Sequence, residues 1–166
     1  LALALVYSER GDEPGLIYSM LKSAIRDFSQ VGAKFDLGNA WVAMGNYYRG
    51  IGNFSDAVKS FEEASMVLTS LNFGYGTAWL HYYRARLLQQ MGNISEAENS
   101  FAESEKIAGS LKSSYVQALS LIGLAEMALK RNARSEFETM IEEANAISEK
   151  MCYHNLLSLV NLHKGI

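Results

Sequence analysis

Between residues 53 and 71 the apolar positions Ala57, Phe61, Ala64, Val67, Leu68 and Leu71 recur at intervals of three and four, with Lys59, Glu62 and Glu63 on the other side. That spacing describes an amphipathic helix with one buried stripe; a strand would alternate every second residue. The stretch before it, 35–49, carries Ala40, Trp41, Met44, Gly45, Tyr47 and Tyr48 at helical spacing too, so two helices follow one another. The pattern then recurs. Leu21, Phe61, Phe101 and Ile141 lie 40 residues apart, and three residues beyond each stand Ala24, Ala64, Ser104 and Ala144. Val31, Leu71, Leu111 and Met151 form a further column, and Phe35, Tyr75 and Tyr115 another that lapses at Asn155. A fixed period of a few dozen residues marks a repeat architecture, here with a helical hairpin as its unit. One hairpin cannot bury its own stripe, so neighbours must stack to make a core.

Local chemistry sets the predicted boundaries. Gly52 and Gly92 fall where a helix ends in a left-handed residue, and Asn53 and Asn93 follow as helix caps. Asn53 with Asp56 and Asn93 with Glu96 resemble capping boxes; at the third turn Asn132 replaces glycine, and Ser135 with Glu138 offers a capping pair. Pro14, the only proline, stands near a helix start, where its missing donor is harmless. The resulting reading is a first helix to about residue 10, then helices over 14–31, 35–49, 54–71, 75–91, 94–111, 114–131, 135–151 and 153–163.

Composition narrows the function classes. With 166 residues, 49% hydrophobic and 20% charged, the chain can bury a core, which argues against disorder. A net charge of −3 offers no footprint for nucleic acid or an anionic membrane. The single cysteine, Cys152, allows no internal disulfide and fits a reducing compartment, so the expected location is cytoplasmic. The apolar opening Leu1 to Val6 is too short to span a bilayer and reads as a core helix. Since the chain starts without Met inside a periodic segment, it is expected to be a piece of a longer polypeptide, and 1–166 is expected to be one domain. Its repeats would cover about 1–33, 34–73, 74–113 and 114–152, with a final helix at 153–164.

Trp41, Met44, Gly45 and Tyr48, followed by Gly52, Ala57, Phe61 and Ala64, resemble the signature of the tetratricopeptide repeat family, with Met where Leu is usual. In this arrangement the small Gly45 and Ala57 let two helices approach while aromatic rings fill the space around them. The next unit keeps Gly92, Ala97 and Phe101 but has His81 and Arg84 in the tryptophan and leucine positions, where Trp79 is expected to take over the packing. The third keeps Leu124, Ala125, Ile141 and Ala144, with Phe137 where alanine is usual. The family repeat is about 34 residues long and ends in a proline, here Thr69. The extra length, roughly a turn and a half, resembles the long repeats of maltose-activator-type regulators, polarity adaptors and kinesin light chains. The fold class implied is all-α, an α-solenoid in which antiparallel hairpins stack into a right-handed superhelix.

The resemblance further implies that the first helix of each hairpin lines a concave, partner-binding groove. Mapped onto this chain, that face comprises Asn39, Val42, Asn46 and Arg49, then Trp79, Tyr82, Tyr83, Arg86 and Gln89, then Leu119, Ile122, Glu126 and Leu129. Trp, Tyr and Arg dominate many interfaces because they combine large buried area with hydrogen bonding. The alternative reading places Trp79 and one of the tyrosines in the core. Only Asn46 and Arg86 match members of the family's clamp for a C-terminal carboxylate, so a mixed groove for a helix or extended peptide is expected instead.

No catalytic or cofactor chemistry is expected. His81, His154 and His163 are scattered without a second ligand at helical spacing, and read as packing or surface residues. Cys152, two positions from His154, would point away from it on a helix. Glu136, Glu138, Glu142 and Glu143 read as a solvated face, and no phosphate-binding glycine loop occurs. The expected role is a scaffold binding a protein or peptide, with neither nucleic acid nor membrane as partner. A sensor segment of a multidomain signalling protein or transcriptional regulator, and a self-association module, are the alternatives.

Overall fold

A computed structural model describes residues 14–164. Within them the chain forms α1 (Pro14–Val31), α2 (Lys34–Gly50), α3 (Phe54–Ser70), α4 (Gly74–Gln90), α5 (Ile94–Ser110), α6 (Ser114–Lys130), α7 (Arg134–Lys150) and α8 (His154–Lys164), and no strand. Each of these helices lies within one residue of its predicted bounds, and Pro14 is the first residue of α1. The helix predicted to end near residue 10 lies outside the described residues. The fold is all-α, built of consecutive antiparallel helical hairpins as in an α-solenoid.

The period visible in sequence is a doublet. Helices α2 to α7 are each 17 residues long, and three-residue turns separate them. Gly32, Gly52, Asn72, Gly92, Lys112, Asn132 and Cys152, spaced by 20, all take positive φ between 50° and 84°. A left-handed residue reverses the chain so that the next amide reaches back to a carbonyl the helix leaves unpaired. Thus Asn53 donates to Tyr48 O at 2.9 Å, Ser113 to Ala108 O at 2.8 Å and Tyr153 to Ser148 O at 2.9 Å.

This turn geometry overrides part of the capping expectation. Asn53 does cap α3, accepting from the Asp56 amide at 3.3 Å while its own Nδ2 donates to the Asp56 carboxylate at 2.9 Å. The side chain of Asn93 makes no cap bond to α5. Because Asn132 takes the left-handed position, the cap of α7 falls on Ala133; Ser135 is already helical, and Glu138 accepts from Arg134 Nε at 3.0 Å instead.

Two compact units are distinguished, Leu1–Tyr83 and Arg84–Ile166, the division falling inside α4. In the first, Ile17 and Leu21 of α1 pack with Ala43 and Met44 of α2, flanked by Tyr18, Trp41, Tyr47 and Tyr48. Gly45 lies directly under the Phe61 ring, leaving no room for a methyl group, and Ala57 is fully buried, so these small residues do set the close approach of α2 and α3. Phe73, just before α4, packs on Phe35 at the start of α2 with ring centroids 4.2 Å apart.

In the second unit α6 packs against both α5 and α7. A Cβ on Gly123 would stand 2.5 Å from the Phe101 ring, and Ser120 donates a buried hydrogen bond to Ser104 Oγ at 2.9 Å. Leu121, Ile122, Ala125 and Ala128 of α6 join Phe137, Ile141 and Ala144 of α7 and Val160 of α8 in one apolar cluster.

Not every apolar column is core. Leu21, Phe61, Phe101 and Ile141 are buried, whereas Val31, Leu71, Leu111 and Met151 are exposed because they sit at the helix ends, just before the left-handed residue. Leu71 therefore does not extend the buried stripe of α3.

Two stability changes follow. Gly45→Ala forces a methyl against the Phe61 ring and lowers unfolding free energy by about 1–3 kcal/mol. Lys112→Gly removes the strain of a side chain in the left-handed region and raises it by about 0.5–1 kcal/mol. Urea denaturation monitored by circular dichroism measures both, and opposite signs are expected.

Candidate functional site

A first helix with neighbours on both sides has little circumference left. In α6, Val116, Ala118 to Gly123, Ala125, Met127 and Ala128 are all buried. The expected face is narrowed accordingly. Val42, Tyr82, Leu119 and Ile122, between 0% and 9% exposed, belong to the core and offer little or no surface to a partner. Leu129 is exposed, and Asn39, Asn46, Arg49, Trp79, Tyr83, Arg86, Gln89 and Glu126 are half-buried, apolar or polar on one side and open on the other.

In the first unit this stripe has two parts. On α2, Arg49 donates from Nε and Nη2 to Asn46 Oδ1 at 3.0 and 2.8 Å. The two bonds orient the Asn46 amide with its oxygen toward the guanidinium, so its NH2 group faces the other way. On α4, Trp79 and Tyr83 stack with centroids 5.4 Å apart and planes 19° from parallel. Buried Tyr82 meets both edge-on, at 5.8 and 5.2 Å. The core reading thus applies to Tyr82, whereas Trp79 is half-buried between the buried Ala78 and Leu80.

In the second unit the residues form a closed network. Arg86 Nη1 donates to Glu126 Oε2 at 2.6 Å and to Gln89 Oε1 at 3.0 Å, and Gln89 Nε2 donates to the same Glu126 oxygen at 2.7 Å. The Arg86 guanidinium also lies over the Phe101 ring, 5.4 Å from its centroid. From α8, His163 Nε2 stands 3.3 Å from Glu126 Oε1. Burial pushes the Glu126 carboxyl upward, but the Arg86 charge, the bonds from Gln89 and Arg86, and His163 together outweigh it, and its pKa lies below the usual carboxylate value. With its charge matched by Glu126, Arg86 is poorly placed to act as a carboxylate clamp.

Sequence reasoning set His163 aside as a packing or surface residue, and the structure makes it part of this network. Its partner lies 37 positions away, on a different helix, so no local spacing announces the contact. His81 is half-buried and His154 exposed. Among the described residues no group of three His, Cys, Asp or Glu is placed to hold a metal ion, and no helix is long and apolar enough to cross a membrane.

Because the Glu126 pKa is depressed on folding, its network contributes stability above the ordinary carboxylate range and loses it as pH falls through the depressed value. Glu126→Gln should flatten the dependence of unfolding free energy on pH below about pH 4.5. Glu126→Ala, which leaves Arg86 without its anion, should cost about 1–3 kcal/mol at neutral pH. Urea titrations at several pH values measure both.

Comparison with known proteins agrees with the helical pattern. No curated protein matches the chain at a significant level. Residues 36–110, which run from α2 to the end of α5, match the family model described as tetratricopeptide repeat, and this part of the chain is similar to that family.

Proposed function

We propose that this chain is a non-catalytic scaffold that binds a protein or peptide through the open stripe of its first helices. Repeats of the family matched by residues 36–110 generally mediate protein–protein interaction. The observation that carries the reading is the Trp79–Tyr83 stack, held from beneath by buried Tyr82 on a helix that needs only one side of these rings for its own packing. Large rigid aromatic surfaces on a preformed helix lose little entropy on binding, so they anchor a partner at modest ordering cost. Asn39, Asn46 and Arg49 of α2 supply polar groups suited to the main chain of an extended segment or the polar side of a helix. In the second unit, Gln89 of α4 and Glu126 of α6 are half-buried residues of first helices as well, although their first role is to satisfy Arg86.

Peptides selected by display against the intact chain test the assignment. Replacing Trp79 and Tyr83 together by alanine should weaken such peptides by about thirtyfold or more, the effect of removing a binding hot spot, with the helical circular dichroism unchanged. Undiminished affinity would remove this stripe as the binding surface.

A further inference from the structure

Both ring nitrogens of His163 face acceptors. Nδ1 lies 2.8 Å from Leu159 O, one turn back on α8, and Nε2 lies 3.3 Å from Glu126 Oε1 on α6. A carbonyl and an ionised carboxylate accept hydrogen bonds only. A neutral imidazole carries one proton, so in either tautomer one nitrogen turns a lone pair toward an oxygen lone pair. Only the imidazolium form satisfies both contacts. We propose that His163 is a proton-operated latch, whose protonated ring fastens α8 to α6 and whose deprotonation loosens that helix.

The surroundings give the latch its leverage. Met140 and Ile147 of α7 pack against the apolar cluster that Val160 of α8 joins. From α6 the charged group facing it is Glu126; behind that carboxylate stand Arg86 and Gln89 of α4, which keep it ionised while the Arg86 charge opposes a second cation nearby. Elsewhere α8 is held by the buried Leu156 and Val160 and by Asn155 Nδ2, which donates to Tyr115 Oη of α6 at 2.8 Å, while Leu162 is 74% exposed. Loosening α8 therefore uncovers part of the α7 surface formed around Ile141 and Ala144.

Hydrogen exchange of the intact chain, followed by mass spectrometry and corrected for intrinsic rates, tests this at about pH 5.5 and pH 8, either side of the range in which imidazoles titrate. Amides of α8 should lose about fivefold protection at the higher pH, the upper end of what a half-exposed ion pair delivers, while those of α2 and α3 do not change. His163→Lys, a permanent cation, should abolish the pH dependence, and so should Glu126→Gln, which removes the negative charge and offers a neutral ring an amide donor. Protection of α8 that is equal at both pH values in the unsubstituted chain, or a loss that persists in either variant, would overturn the proposal.

Discussion

A first helix flanked by second helices on two sides must be apolar around most of its circumference, and the rest of this structure depends on that constraint. It accounts for the run of buried residues in α6 and for the small residues at closest approach, Gly45 beneath Phe61 and Gly123 beneath Phe101. It also leaves only a narrow strip of each such helix open. A side chain on that strip is half-buried by geometry, so it must either pack, pair with a neighbour or meet a partner.

The two units answer that demand differently. Where the first places stacked aromatic rings at Trp79 and Tyr83, apolar surface is covered and still partly available. Where the second places charge, it is matched internally: Arg86, Gln89 and His163 converge on a single carboxylate. An unmatched half-buried Arg or Glu would be costly, so the network first secures the repeat interior. Stacked rings in one unit and a matched charge network in the other are thus two answers to the same half-buried position.

Turn chemistry shows how repetition tolerates variation. Glycine relieves left-handed strain at Gly32, Gly52 and Gly92, and Asn72 and Asn132 take the position at small cost, yet Lys112 and Cys152 adopt the same φ. The backbone hydrogen bonds that close each turn, together with the packing of the helices on either side, outweigh the strain of a single residue. Glycine and asparagine therefore mark the turns at Gly32, Gly52, Asn72, Gly92 and Asn132, while those at Lys112 and Cys152 carry neither.

The local and periodic part is legible along the chain: helix type, helix bounds to within a residue, the hairpin unit, the small-against-aromatic packing and the tetratricopeptide likeness of the central repeats. These follow from side-chain spacing and backbone preference, which act over a few residues and are therefore written in the order of the chain. The tertiary structure alone decided which face of each first helix stays open. Helical spacing puts Val42 and Asn46, or Tyr82 and Tyr83, close together on one helix surface, and only the neighbouring helices settle that Val42 and Tyr82 are buried while Asn46 and Tyr83 are half open. It likewise joined His163 to Glu126, because contact between helices depends on how they dock and not on distance along the chain.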